Sequence, residues 1–253
     1  MAAFDRTTLS AGDVFTSNEG CDVVVLGFSK TKGVLVQFDD EHQYTMCVTA
    51  QNLRNGQVKN PYHPSVYGFG YIGLGPYKAK IDRKNTREYV VWSDIIRRSC
   101  TEFWTTKPSL KCYEGSSISK EWLCFQVFAK WLTENPFYEL GYQVDKDLIK
   151  KGNKHYSPET CALIPQEINK LLYRSEERNG LLPTGVCSNG KKFQASLSRF
   201  GEKIYLGTFN CPNEAHQAYV VAKEAYVKEV ANEWHGRIDE RVYKALMNWR
   251  VAK

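Results

Sequence analysis

Short runs of β-branched and aliphatic residues alternate with polar turns in the N-terminal quarter of the chain. The clearest runs lie at 21–26, 34–38 and 44–48, and the polar residues 29–33 separate the first two. β-branched residues favour strands, and short strands at this spacing are typical of small antiparallel sheets. Prolines at 61 and 64 then disfavour a continuing helix or central strand. We therefore expect a small β-barrel domain of the SH3-like type over residues 1–62.

Two later segments carry hydrophobic residues at helical spacing. The first set is Tyr89, Trp92, Ile95, Ile96 and Cys100, and the second is Trp122, Phe125, Phe128, Ala129 and Leu132. Because residues three and four apart share one helix face, both sets predict helices that pack on a core. Arg97 and Arg98 lie off the first stripe, where they could face either phosphate or water.

The clearest alternation lies near the C-terminus. Phe193, Ala195 and Leu197 occupy every second position, which predicts a strand with these three side chains in the core. A tight turn at 200–202 leads to a return strand at 203–207. Pro212 suits the first turn of a helix, whose core face carries small and aromatic residues. These residues are Ala215, Ala218, Tyr219, Ala222, Ala225 and Tyr226. The pattern predicts a sheet packed on a helix.

The opposite face of this predicted sheet is polar and positively charged. Its candidate nucleic-acid-binding residues are Lys191, Lys192, Gln194, Ser196, Ser198, Lys203 and Tyr205, with Arg97 and Arg98 as further candidates. Cations and hydrogen-bond donors on a rigid ribbon suit phosphates and base edges, although a solvated sheet face has a similar composition. The chain has 34 Lys and Arg against 28 Asp and Glu, a net charge of +6 that is compatible with double-stranded DNA as a partner.

The cysteine spacing, a glycine-rich segment and the length of the apolar runs each argue against one class of site or location. The eight cysteines include no C-x-x-C pair, so we expect no zinc site and no disulfides. Gly68 to Gly73 formally match G-x-G-x-x-G, but they follow prolines and lead into Leu74-Gly75-Pro76, which predicts a loop and not a dinucleotide site. No apolar run reaches the length of a membrane span, so we expect a cytoplasmic protein without a membrane partner.

A second group of polar residues lies in the middle of the chain. Asp145, Asp147, His155 and Asn169 fall within 25 residues of one another. Their carboxylate and amide oxygens could hold a hard cation such as Mg²⁺. A scattered polar loop would have the same composition, and from these residues alone that reading is the simpler one.

The C-terminal pattern resembles a known DNA-binding domain. The matching residues are Gly185-Val186, Gly190-Lys191, Phe193-Gln194-Ala195, Tyr205 to Phe209, Glu214-Ala215, Ala218-Tyr219 and Ala222. Together they resemble the ethylene-response-factor type, including its mobile-element and bacteriophage relatives. The resemblance implies that a three-stranded sheet docks in the major groove of DNA. Cys187 stands where that family usually has an arginine, so the docking mode is implied but the base specificity is not.

The central segment resembles bacteriophage homing endonucleases of the HNH (ββα-metal) superfamily. The motifs are Tyr89, Trp92, Arg98, Cys100, Glu121-Trp122, Phe125, Phe128, Asp145-Lys146-Asp147, Tyr156 to Cys161 and Asn169. The resemblance runs from about residue 67 to 172. It implies Asp145 on a first strand, Leu163 on a second and Asn169 on a helix, with Asp145 and Asn169 holding Mg²⁺ or Mn²⁺. Lys146 occupies the position of the general-base histidine, where it could steady a phosphate as a point charge. His155 could then act as substitute base, or Asp147 could position the water.

The predicted protein is α+β. It comprises the β-barrel domain at 1–62, an HNH-like ββα domain with flanking helices at 63–174, a linker at 175–183 and the sheet–helix DNA-binding domain at 184–253. The leading hypothesis is a metal-dependent homing endonuclease, in host cytoplasm if phage-encoded. The alternative is a non-cutting DNA-binding regulator or host-takeover protein. A third hypothesis is an interaction module whose barrel binds a host protein.

Overall fold

The computed structural model describes residues 9–29, 33–172, 182–199 and 201–251. Parts of the predicted turns at 29–33 and 200–202, and most of the predicted linker at 175–183, lie outside these ranges. The chain is α+β with several small sheets, and it divides into two compact units, Met1–Trp131 and Leu132–Lys253.

Most of the described elements are short, and α5 is the longest of them. The strands are β1 (Val14–Thr16), β2 (Asp22–Ser29), β3 (Gly33–Phe38), β4 (Thr45–Val48), β5 (Lys80–Ile81), β6 (Lys84–Asn85), β7 (Ser117–Ile118), β8 (Gln143–Asp145), β9 (His155–Tyr156), β10 (Ala162–Ile164), β11 (Val186–Asn189), β12 (Lys192–Arg199) and β13 (Glu202–Phe209). The α-helices are α1 (Ala50–Arg54), α2 (Arg87–Cys100), α3 (Phe125–Thr133), α4 (Gln166–Leu172), α5 (Pro212–Trp234) and α6 (Glu240–Met247). None of these described helices is long and apolar enough to cross a membrane.

The first four strands form an antiparallel meander in the order β1-β2-β3-β4. The three predicted hydrophobic runs correspond to β2, β3 and β4, so these strand predictions are confirmed. Val25, Val36 and Phe38 are buried on one face, as the two-residue period requires. In the described ranges β1 and β4 remain the edges of this sheet, which is open and not a closed barrel.

An aromatic core follows in the same unit. Thr86 caps α2, which buries Trp92 and Ile96, and the Trp92 indole Nε1 donates to the Trp122 carbonyl at 2.7 Å. The predicted second helix starts too early, because Trp122 lies on a 3-10 turn (Lys120–Leu123) and α3 begins at Phe125. The predicted glycine loop at 68–73 is confirmed, and a Cβ at Gly70 would lie 2.8 Å from the Trp92 ring.

The C-terminal unit has one continuous main core. Antiparallel β8 and β10 and helix α4 contribute Ala162, Ile164 and Ile168 to it. The segment between α5 and α6 supplies Ile238. Sheet β11-β12-β13 and helices α5 and α6 supply the other buried residues, Leu197, Tyr226, Val227, Val230, Ala231, Val242 and Leu246. The central hairpin and the C-terminal sheet and helices therefore share one hydrophobic core.

Candidate nucleic-acid interface

The inner face of the β11–β13 sheet is fixed by helix α5. Ala195 and Leu197 are buried as the alternation predicted, and Val186, Ala195 and Ala215 form a second small core beneath the sheet. Ala215 and Tyr226 lie on the buried side of α5, but Ala225 is exposed, and Val227 and Ala231 are buried in its place. A sheet anchored in this way presents its other face as a rigid surface.

The outer face is polar and accessible to solvent. Lys192, Ser198 and Lys203 are exposed, Gln194 and Ser196 are partly exposed, and Tyr205 is 61% exposed. Cross-strand pairing places Ser198 opposite Lys203 and Ser196 opposite Tyr205, so the predicted residues form adjacent rows. Lys191 lies in the turn between β11 and β12 and is also exposed. The structure thus brings together the sheet residues predicted to bind nucleic acid.

The structure adds one residue to this face. A register shift between Ala195 and Ser196 brings Gln194 opposite Thr208, although Ser196 is opposite Tyr205. The hydroxyl groups of Tyr205 and Thr208 are then 2.7 Å apart. Thr208 escaped the sequence analysis because simple alternation along β13 cannot reveal an irregularity of register. The bond restrains the exposed Tyr205 ring at the centre of the outer face.

The charged residues of this sheet differ in availability. Arg199 forms a salt bridge with Glu229 on α5, and its guanidinium lies 5.4 Å from the centre of the Tyr226 ring. These two contacts of Arg199 connect β12 to the helix. Lys192 and Lys203 are exposed on the outer side of the same sheet, where a lysine acts as a hydrated point charge. They are the cations of the outer face best placed to meet phosphate.

Arg97 and Arg98 lie in the other compact unit, on α2. Both guanidinium groups form salt bridges with Asp94. Arg97 also lies 4.0 Å from the centre of the Phe103 ring, and Arg98 lies 4.8 Å from that of Tyr113. These contacts hold the two arginines against the end of their own helix.

The central candidate residues lie on a hairpin followed by a helix. β8 ends at Asp145, which pairs with Ala162 on β10, and Leu163 occupies the middle of β10. Asn169 lies on α4 and its Nδ2 donates to Gln143 Oε1 at 2.8 Å. Gln143 and Asp145 are two residues apart on one strand and so share a face of it. The strand, strand and helix positions expected for Asp145, Leu163 and Asn169 are confirmed.

The Asp145 carboxylate is strongly influenced by its surroundings. Its Oδ1 accepts backbone N–H groups of Asp147 at 3.1 Å and Leu148 at 2.8 Å. Burial, and secondly the negative charge of Asp147, raise the pKa of Asp145 to about 6, against the lowering effect of the two N–H groups and Lys146. A positive charge bound at this carboxylate would stabilise its ionised form and so lower the pKa of Asp145.

Lys146 is buried with only 8% of its surface exposed. Its ammonium Nζ lies 3.2 Å from Asp147 Oδ2 and 5.7 Å from the centre of the Tyr156 ring. The structure therefore places the Lys146 ammonium group in a salt bridge with Asp147, within the connection that follows β8.

His155 begins β9, on the far side of the connection from Asp145. The Asn153 side chain links the two ends of that connection, since its Nδ2 donates at 2.7 Å to the carbonyls of both Lys146 and His155. The Thr160 hydroxyl donates to the same His155 carbonyl at 2.6 Å. The backbone of His155 is thus fixed relative to Lys146 by a single amide.

The oxygen donors of this hairpin suit a hard cation better than a soft one. Among the described residues no three His, Cys, Asp or Glu side chains converge as a preformed metal cluster. Mg²⁺, however, is usually held by one or two protein oxygens together with waters and substrate phosphates. Asp145 and the Asn169 amide oxygen fit that pattern. The nearby Cys161 is buried, which raises its pKa to about 12 and keeps its thiol protonated.

Comparisons with known proteins give no relative for this chain. It matches no protein-family model, no curated protein sequence and no solved structure. Function therefore has to be inferred from the chemistry of the sheet face and of the hairpin.

Proposed function

We propose that this chain binds double-stranded DNA through the outer face of the β11–β13 sheet. The observation that carries the proposal is the exposed set of lysine, amide and hydroxyl groups on a sheet whose other face is packed on α5. Ammonium groups pair with phosphates, and amide and hydroxyl groups can bond to base edges. The likeness to ethylene-response-factor domains supports the same mode of docking.

The dimensions of a β-ribbon support the major groove as the site of contact. That groove is about 12 Å wide and admits a two-stranded ribbon. β12 and β13 pair over the length of both strands, with Gln194, Ser196 and Tyr205 on the outer face between Lys192 and Lys203. The lysines would contact phosphate groups while the central residues approach the bases.

Replacing Lys192 and Lys203 together with Ala should weaken DNA binding about equally for all sequences. The slope of log K against log salt concentration is negative, and each lost phosphate contact reduces its magnitude by about 0.9. The magnitude should therefore fall by about 2. Fluorescence anisotropy of a labelled duplex over a salt series measures both quantities. The matched control replaces Lys80 and Lys84, which are equally exposed but lie on β5 and β6. An unchanged slope in the Lys192 and Lys203 variant would contradict the proposal.

We propose, as a second activity on the same substrate, hydrolysis of DNA phosphodiester bonds at the β8–β10 hairpin. The observation that favours it is the hairpin–helix arrangement, in which Asn169 bonds to Gln143 on the strand face shared with Asp145. The Asp145 carboxylate and the Asn169 amide oxygen would hold Mg²⁺ or Mn²⁺. Such a cation, when bound, supplies positive charge that stabilises the scissile phosphate and the leaving oxygen.

Lys146, His155 and Asp147 are the candidates for positioning the phosphate and activating the attacking water. Lys146 is paired with Asp147 and would steady a phosphate as a point charge. The attacking water needs a general base. His155 is the candidate for that role because an imidazole can accept a proton near neutral pH. Asp147, which is exposed, could only orient the water by accepting a hydrogen bond.

Nicking of supercoiled plasmid in the presence of Mg²⁺ or Mn²⁺ should be abolished by Asp145→Ala, with DNA affinity kept. His155→Ala should abolish nicking in the same way if His155 is the base, and nicking by this variant would assign that role elsewhere. Gel assays with matched anisotropy measurements separate cleavage from binding. Tight binding without nicking by the unmodified chain would instead identify a non-cutting DNA-binding protein.

A further inference from the structure

The connection between β8 and β9 carries a compact group of lysines that none of the roles above uses. Lys150, Lys151 and Lys154 are all exposed. Lys150 to Asn153 form a β-turn, in which the Asn153 N–H donates to the Lys150 carbonyl at 2.9 Å. Gly152 has a φ of 76°, as the third position of a type II turn requires. We call residues 150–154 the lysine turn.

The lysine turn is held in place at three points. Asn153 donates from its side chain to the Lys146 and His155 carbonyls. Lys151 Nζ donates to the Arg250 carbonyl at 3.2 Å. Arg250 in turn forms a salt bridge with Glu224 on α5, with 3.4 Å between Nε and Oε2. The turn is therefore anchored both to its hairpin and to the long helix, so less conformational entropy is lost when a ligand orders it.

The charge of this turn is of one sign. No acidic residue occurs between Leu148 and Lys154, and the preceding Asp147 is paired with Lys146. Several exposed like charges on one short turn produce a positive local potential, which favours an anionic ligand. An ammonium on a flexible stem is suited to phosphate as a point charge and does not discriminate between bases.

We propose that the lysine turn is a second phosphate-binding surface, which holds the DNA backbone beside the β8–β10 hairpin. This inference rests on the proposed DNA binding and specifies where a second stretch of backbone is contacted. Asn153 of the turn bonds to the carbonyls of Lys146 and His155, so a phosphate bound at the turn would lie at this end of the hairpin. The lysines contribute affinity and salt dependence, whereas the sheet face contributes the recognition of bases.

Replacing Lys150, Lys151 and Lys154 together with Gln removes the charges and keeps side-chain length and polarity. We expect a roughly 10- to 100-fold loss of affinity for a duplex at moderate salt, and a fall of about 2 to 3 in the slope of log K against log salt concentration. Sequence preference should be unchanged. The matched control replaces Lys80, Lys84 and Lys107 with Gln, since these exposed lysines lie in the other compact unit.

Four results distinguish the inference from the proposed function. Loss of affinity and slope in the lysine-turn variant, with binding kept in the control, supports the inference. A slope that is unchanged in the lysine-turn variant but lowered in the Lys192 and Lys203 variant overturns the inference and leaves the proposed function intact. An unmodified chain that does not bind duplex at low salt overturns both. A lysine-turn variant whose melting temperature matches the unmodified chain and whose affinity equals that of the control also overturns the inference.

Discussion

Replacing Asp145 with Asn should stabilise the C-terminal unit by up to about 3 kcal/mol at pH 8. The free energy comes from the raised pKa of Asp145, about 6 in the folded chain against an ordinary 3.8, since one pKa unit corresponds to about 1.4 kcal/mol. Asn keeps an Oδ1 that can accept the N–H groups of Asp147 and Leu148. It removes only the charge that burial and Asp147 disfavour.

The sign of the pH dependence follows from the raised pKa. The folded chain holds the Asp145 proton more tightly than the unfolded chain, so this group's favourable contribution is complete below pH 3.8 and is lost as the pH rises through about 6. The stabilisation by Asp145→Asn should therefore be larger at pH 8 than at pH 5, by about 1.4 kcal/mol. Urea denaturation at both pH values, with EDTA present to exclude cations, measures the difference.

Glu139→Gln is the control for this experiment. Glu139 is an exposed carboxylate of the same compact unit, and substitutions at such positions usually change stability by less than about 0.5 kcal/mol. If Asp145→Asn raised stability equally at pH 5 and pH 8, or lowered it at both, the buried charge of Asp145 would not be what destabilises the folded unit. If Asp145→Asn raised the stability of the folded unit and also abolished nicking, the Asp145 carboxylate would be required for cleavage although it destabilises the fold.

Local sequence patterns were sufficient to predict several of the longer elements. Val34 to Phe38 and Lys192 to Leu197 predicted strands β3 and β12 because burial on one face imposes a two-residue period. Pro212 also predicted the start of α5 from local chemistry. Proline fixes a helical φ, and the first helical position needs no hydrogen-bonded N–H. The hairpin around Asp145 was different. Its strands have three residues each, too few for any periodicity, and its prediction depended on the resemblance.

Other features depend on contacts between distant residues. Trp122 has helical spacing with Phe125 but lies on a 3-10 turn, where its carbonyl accepts from Trp92. The shared core of Ile164 and Val227 could not be predicted, because amphipathic patterns show that a face is buried but not which partner covers it. For the same reason the position of the lysine turn, anchored to Arg250, follows only from the folded chain.

Gly185→Ala should destabilise the C-terminal unit far more than Gly190→Ala. Gly185 has a φ of 83°, and a Cβ there would lie 2.8 Å from Tyr219 Cβ and still closer to its ring. Left-handed backbone strain and overpacking each cost roughly 1–3 kcal/mol, so we expect about 2–5 kcal/mol in total. Gly190 has a φ of 60°, but its Cβ would meet no atom within 4 Å, so only the strain remains. Thermal or urea denaturation measures both variants.

Tyr219→Ala in the Gly185→Ala background tests the cause directly. Gly185 immediately precedes β11, and its carbonyl accepts the Ser196 N–H at 2.9 Å, so displacing it disturbs the sheet that carries the proposed DNA face. If overlap with Tyr219 is the cause, the double variant should be more stable than the sum of the two single losses implies, by about 1–3 kcal/mol. Additive losses would contradict that cause. The close approach of Gly185 to Tyr219 lies where the sheet meets α5. Gly185→Ala should therefore also weaken DNA binding at temperatures where the unit stays folded, whereas Gly190→Ala should leave DNA binding nearly unchanged.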